Sequence, residues 1–214
     1  MNSRPGLLLA SLLVACGPRP PPAAALEVED DSLLVSSEAI TPDFMVHQKV
    51  HASFGERSLV FQAIIQKAHG RLTIVALTLQ GTRVFSLVQS GKKVRFERYT
   101  KSELPFSPRH ILVDIHRSYF RGLATPPASG RRVARSGGEL LRETWKGGQL
   151  VERTIEIIEA KRPERITIRY GAGGPSLLER PVRYHNGYLG YSLDVTPLRF
   201  KLIGGDGSQA TEDE

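Results

Sequence analysis

The feature that most restricts this chain is a repeated short alternation of apolar and polar residues, cut at regular intervals by glycine. Leu59, Phe61, Ala63 and Ile65 alternate along one segment. Leu72, Ile74 and Ala76 do so on the next, with Val75, Leu77 and Leu79 on its other face. Val84 to Val88 and Val94 to Tyr99 follow, and turn signals at Ala68-His69-Gly70, Gln80-Gly81 and Ser90-Gly91 separate the runs. A period of two places alternate side chains on opposite faces of a strand, and short alternating runs joined by glycine turns describe an antiparallel meander.

The pattern extends to both sides. Val46, Gln48, Val50 and Ala52 alternate with His47 and His51, which predicts a strand there. Leu140 to Trp145 meets Gln149 to Ile158 through Lys146-Gly147-Gly148, a hairpin turn suited to glycine because both central residues need positive φ. Strands are also predicted over Arg165 to Tyr170, Val182 to Tyr184, Tyr191 to Val195 and Leu198 to Leu202.

One segment breaks the period. Pro108 to Leu123 reads as a helix, with Ser107 as N-cap and proline at the first helical position. Ile111, Leu112, Ile115, Tyr119 and Leu123 fall on one side, and His110, Asp114, Arg117 and Arg121 on the other, as a solvated charged face or a buried polar latch. Thr125-Pro126-Pro127 ends it. A lone helix among many strands buries its apolar stripe on the sheet. The expected fold is therefore mainly β (α+β): a curved antiparallel sheet wrapped around one amphipathic helix.

The N-terminus has a separate logic. A short polar start with Arg4 precedes the apolar run Leu7 to Ala15. That run is far below the roughly 20 residues needed to span a membrane, and it reads as a secretory signal. Leu13-Val14-Ala15-Cys16 resembles a lipobox, in which a small residue precedes the cysteine that accepts lipid. Cys16 is the chain's single cysteine, so no intrachain disulfide can form. Expected organisation is a signal peptide over 1–15, a lipidated Cys16 with a Pro/Ala-rich and then acidic tether over 16–43, a folded domain over 44–203, and a Gly-rich acidic tail over 204–214. Gly17 follows the cysteine where aspartate would favour inner-membrane retention. The expected location is the outer membrane, lipid-anchored and facing the periplasm.

The formal net charge is +7, and loss of Arg4 with the signal leaves +6. A basic surface can meet anionic headgroups or nucleic acid; export argues against nucleic acid as a partner. Catalytic and metal signatures are weak. His47 and His51 lie on one strand face roughly 13 Å apart, too far to share a metal. No serine occupies a Gly-x-Ser-x-Gly elbow. Gly171-Ala172-Gly173-Gly174-Pro175 lacks the ending of a phosphate loop and reads as a flexible hairpin loop. No catalytic residue, metal or cofactor is expected.

Four stretches carry a family resemblance: Phe44-Met45-Val46-His47-Gln48-Lys49-Val50, Gly81-Thr82-Arg83-Val84-Phe85, Pro108-Arg109-His110-Ile111-Leu112-Val113-Asp114-Ile115 and Gly190-Tyr191-Ser192-Leu193. Over about residues 44 to 200 the chain resembles an uncharacterised bacterial lipoprotein family, of the domain-of-unknown-function type, related to the outer-membrane lipoprotein carrier and receptor LolA and LolB. The resemblance implies a LolB-like half-barrel around an apolar cavity that holds acyl chains. It also implies a lipid or acylated ligand and a periplasmic carrier protein as partner.

The expected function is a non-enzymatic envelope lipoprotein that binds or transfers a lipid or acylated molecule. Leu72, Ile74, Ala76, Ile111, Ile115, Tyr119 and Trp145 are the expected cavity residues, and Arg131, Arg132 and Arg135, in a loop after the helix, are candidates for a headgroup. The alternative is a structural or assembly lipoprotein tethering a protein partner, with Tyr184, Tyr188 and Tyr191 as a contact patch.

Overall fold

A computed structural model describes residues 33–101, 107–122, 127–160 and 164–204. Five strands come first: β1 (Phe44–Phe54), β2 (Arg57–Ala68), β3 (Arg71–Leu77), β4 (Arg83–Ser90) and β5 (Lys93–Arg98). The helix α1 (Pro108–Ile115) follows. Six more strands follow among the described residues: β6 (Gly130–Ser136), β7 (Glu139–Lys146), β8 (Gln149–Ile157), β9 (Ile166–Tyr170), β10 (Val182–Asn186) and β11 (Tyr191–Leu202). All eleven form one antiparallel sheet, ordered β5-β4-β3-β2-β1-β11-β10-β9-β8-β7-β6. The described residues are thus mostly β, with a curled, unclosed sheet and one short α-helix.

This order has a simple cause. Each half is a meander of neighbouring hairpins, and the halves meet where β1 pairs with β11 along its whole length, from Phe44↔Leu202 to Phe54↔Tyr191. The helical segment links the two sheet edges, β5 and β6. The tight turns are built from residues that accept positive φ, as at Gly147 and Gly148, with φ of +54° and +74°.

Three bulges bend the ladders. In β11 the register slips so that His47 faces Arg199 and Gln48 faces Pro197, leaving Leu198 unpaired. Similar slips leave out Val84 opposite Ala76/Leu77 and Val151 opposite Thr144/Trp145. A bulge adds local twist, and it is also where a strand tolerates proline. The two strands expected over 191–195 and 198–202 are therefore one strand running through a bulge.

The core lies on the inner face in two clusters. One joins β1–β5 to Leu112 and Val113 of α1, and the other packs Leu141, Leu150, Ile155, Ile168 and Tyr170 beneath β7–β10. Tyr119 packs against both. The packed body also reaches upstream of Phe44: Leu34 and Ile40, within the stretch assigned to the tether, are buried in the first cluster. His116 ties that stretch down. Its Nδ1 accepts from the Val35 amide at 3.1 Å, so Nε2 carries the proton and donates to Gln89 Oε1 at 2.8 Å. Cys16, the signal segment and residues 205–214 lie outside the described residues.

Two local expectations need correction. The α-helix stops at Ile115 and continues as one π-helical turn over His116–Phe120, closed by the Arg121 amide donating to the His116 carbonyl at 2.8 Å. Leu123 lies outside the described residues. Arg131, Arg132 and Arg135 are on strand β6 rather than in a loop, because Gly130–Ser136 pairs along β7 from Gly130↔Trp145 to Ser136↔Glu139. Polar sequence concealed this strand: it is an edge with every side chain but Ala134 exposed, so it carries no apolar alternation.

Candidate functional site

The two core clusters do not meet completely, and a cavity lies between them under the helical segment. It offers about 90 Å³ of room for the centres of water-sized molecules, several times what a single buried water needs. One wall is a helical stripe of Ile111, Ile115 and Tyr119, spaced four residues apart. The opposing wall comes from β1–β4 and, across the β1–β11 seam, from β10 and β11.

The space exists because of two small residues. Gln48 on β1 lies opposite Ala63 on β2, Ala63 opposite Ala76 on β3, and Ala76 opposite Phe85 on β4. All four line the cavity. Two adjacent alanines at the middle of this row leave a trough where leucine or isoleucine would fill the sheet surface. Ile65 and Ile74, one step along the same strands, pair as bulky neighbours and mark its side. The stripe above is only half-buried, as are Phe54, Phe61, Leu193 and Val195 along the sheet wall. These are apolar groups turned toward the cavity and only partly covered by the described residues.

The other flank of the helical segment is polar, and its Asp114, Arg117 and Arg121 are buried and form the latch rather than a solvated face, while His110 is half-buried and borders the cavity. Asp114 accepts from the hydroxyls of Tyr184 and Tyr191 and, at 3.1 Å, from Arg117. Arg117 also donates to Glu139, which accepts from Arg121 as well. Arg153 pairs with Glu143 at 2.8 Å and donates to the Arg117 carbonyl. The Tyr170 hydroxyl donates to the Ser118 carbonyl at 2.8 Å. Buried charges need such partners, since desolvation otherwise outweighs attraction. The network fastens the helical segment to β7–β11 and holds its apolar stripe over the trough.

The titrations reflect this burial. Desolvation pushes the Asp114 carboxyl up, against the three donors that favour its charge. Desolvation and the neighbouring Asp114 carboxylate raise Tyr184 and Tyr191 well above the usual phenol range. Tyr119 is raised by burial, and burial pushes Tyr170 up to about 12. These hydroxyls stay protonated and serve as fixed hydrogen-bonding groups.

Of the seven expected cavity residues, Ile74, Ala76, Ile111, Ile115 and Tyr119 stand together around the trough. Leu72 is fully buried in the first core cluster and does not line the cavity. Trp145 packs beside the second cluster, with its Nε1 donating to Glu143 at 3.0 Å, and does not line it either. Arg131, Arg132 and Arg135 are exposed on the outermost strand and contribute nothing to the lining. The tyrosine patch is not a surface: Tyr184 and Tyr191 are buried by their bonds to Asp114, while the Tyr188 hydroxyl accepts from the Ile157 amide at 3.0 Å. Gly171–Pro175 is a mostly exposed loop joining β9 to the segment before β10, drawn in at Gly173, where a Cβ would lie 2.8 Å from the Glu179 carbonyl oxygen. Among the described residues, no group of three or more His, Cys, Asp or Glu side chains is placed to hold a metal ion.

Residues 45–199 match a family described as "Protein of unknown function (DUF3261)". No curated protein matches the chain in sequence. Among solved structures it is similar to a LolA superfamily protein from Nitrosomonas europaea, at 11% identity and a TM-score of 0.50, covering 78% of this chain and 90% of that one. It is also similar to a putative outer membrane lipoprotein-sorting protein domain from Vibrio parahaemolyticus, at 8% identity and a TM-score of 0.47, covering 80% and 90%. The first of these likenesses establishes a LolA-like fold.

Proposed function

The chain belongs to the DUF3261 family, and we propose that it is a non-enzymatic envelope lipoprotein that binds or transfers a lipid or acylated molecule in the cavity beneath its helix. The observation that carries this reading is the half-buried apolar stripe of Ile111, Ile115 and Tyr119 facing the Ala63–Ala76 trough. In a finished core, such a stripe would be packed by protein, as Leu112 and Val113 are on the adjacent face. An unbranched apolar chain fits the space, and each methylene it buries contributes roughly 0.8 kcal/mol. Selection by tail shape requires no catalytic group.

The location follows from the N-terminal sequence: Cys16 carries the lipid anchor, the outer membrane receives it, and the domain faces the periplasm. A periplasmic carrier protein is the natural donor or acceptor of the ligand. The alternative, a tether for a protein partner, requires a filled core, and two of its three patch tyrosines, Tyr184 and Tyr191, are buried.

Fluorescence of N-phenyl-1-naphthylamine, a neutral dye that brightens on leaving water, tests the reading on the full chain carrying Cys16→Ser. Saturable uptake that medium-chain acyl compounds displace supports a ligand cavity. No uptake by a folded chain moves the assignment to the tether.

A further inference from the structure

The cavity wall carries a polar pair beside the trough alanines, and its hydrogen-bonding capacity is mostly unspent. Gln48 is 2% exposed and lies in the trough row beside Ala63. Its side-chain amide meets the Tyr119 hydroxyl at 3.1 Å, across from the helical stripe. Both residues line the cavity. The pair holds three donor hydrogens, two on the amide and one on the phenol, with acceptors on the amide carbonyl and the phenol oxygen. One hydrogen bond between them uses one donor and one acceptor. Whichever way the amide is turned, two donors and an acceptor remain, and among the described residues no other side chain or backbone group engages them. Buried polar groups in folded proteins are normally satisfied, so a pair with unspent donors turned into the trough is suited to an external partner.

The surrounding charges limit what that partner is. Among the described residues no lysine or arginine lines the cavity; its acidic and basic side chains are Asp114 and His110. An ionised ligand carboxylate or phosphate buried beside Gln48 and Tyr119 would meet neither a lysine nor an arginine and would share the lining with the Asp114 carboxyl, leaving His110 as its one basic neighbour among the described residues. The Tyr184 and Tyr191 hydroxyls add no donors, because both hydrogens go to Asp114.

Resting on the cavity reading, we infer that the buried part of the ligand is an uncharged chain bearing a neutral hydrogen-bonding group, such as a hydroxyl, amide or ester, seated on Gln48 and Tyr119. A free fatty carboxylate is not the ligand this cavity was built for. The pair is a specificity determinant that reads one neutral polar point along an apolar chain.

The test displaces N-phenyl-1-naphthylamine from the full chain carrying Cys16→Ser with decanol, decanamide and decanoate at pH 7.5. Decanol and decanamide should bind at least about tenfold more tightly than decanoate. Adding Gln48→Leu and Tyr119→Phe should weaken the alcohol and amide, each measured relative to decanoate in the same variant, by about fivefold, the scale of one net hydrogen bond. A cooperative thermal transition by circular dichroism reports that the variant is folded; Tyr119→Phe alone, which removes a single oxygen, provides a milder check and should show part of the same loss. Decanoate binding as tightly as decanol, or an unchanged preference in both variants, overturns the inference while leaving the cavity reading standing. Failure of the dye and all three compounds to bind the parent chain overturns both.

Discussion

Ala63→Leu separates an open trough from a packed core by the sign of its effect. In a filled interior, three added carbons force neighbours off their rotamers and cost about 1–3 kcal/mol. Facing empty space, the same carbons leave water and gain up to about 2 kcal/mol, at roughly 0.8 kcal/mol per methylene. Ala52→Leu is the internal control: Ala52 is fully buried on β1 but does not line the cavity, so overpacking applies. For a domain of this size, 1 kcal/mol moves the melting temperature by roughly 2–4 °C. Thermal unfolding of both variants should therefore shift in opposite directions, unchanged or upward for Ala63→Leu and downward for Ala52→Leu. Dye uptake should fall at least tenfold in the first variant and persist in the second below its melting temperature. Equal destabilisation of both, with dye binding intact, would refute the geometry of the trough.

Other outcomes follow from the latch and the N-terminus. Arg153→Met strands Glu143 as a buried unpaired charge and should cost about 3–5 kcal/mol in denaturant unfolding; adding Glu143→Leu should restore much of it. The hydrogen bond from Lys67, aided by the His69 amide, lowers the Asp43 carboxyl below its ordinary 3.8. Its stabilising contribution is present above that value and is lost as pH falls through the lower folded pKa, so acid unfolding of Asp43→Asn should lack that step. Asp114 runs the other way: its raised carboxyl binds a proton more readily in the fold, so stability falls as pH rises from 3.8 through the folded value, and Asp114→Asn should remove that decline. Cys16→Ser should abolish metabolic labelling with radioactive palmitate and release the chain from the membrane fraction.

Much of the sheet was legible because half-buried strands write their pattern directly: β2, β3 and the β7–β8 hairpin alternate visibly between glycine turns. β6 was hidden because an exposed edge has no buried face to record. The bulges were hidden because an extra residue merely interrupts the alternation, so β11 looked like two strands. The helix was legible from Ile111, Ile115 and Tyr119, but its charged side was ambiguous. Asp114, Arg117 and Arg121 are as polar in a buried network as on a wet surface, and only the partners brought by Glu139, Tyr184 and Tyr191 distinguish the two. The same limit applied to the cavity. Alternation shows which residues share a face, so Ile74 and Ala76 fell together, but Leu72 shares that face and is covered. Gln48, Ala63 and Phe85 became neighbours only through strand register, and a lone glutamine in a strand carries no signal of its own until its row is known.

The most direct test of the account is native mass spectrometry of the full chain purified from a Gram-negative envelope and released from detergent in the gas phase, beside the Ala63→Leu/Ala76→Leu variant. The account predicts one small acyl-type molecule bound at stoichiometric level to the natural chain and absent from the variant. A natural chain free of any bound molecule, or the same mixed lipids on both proteins, would contradict it.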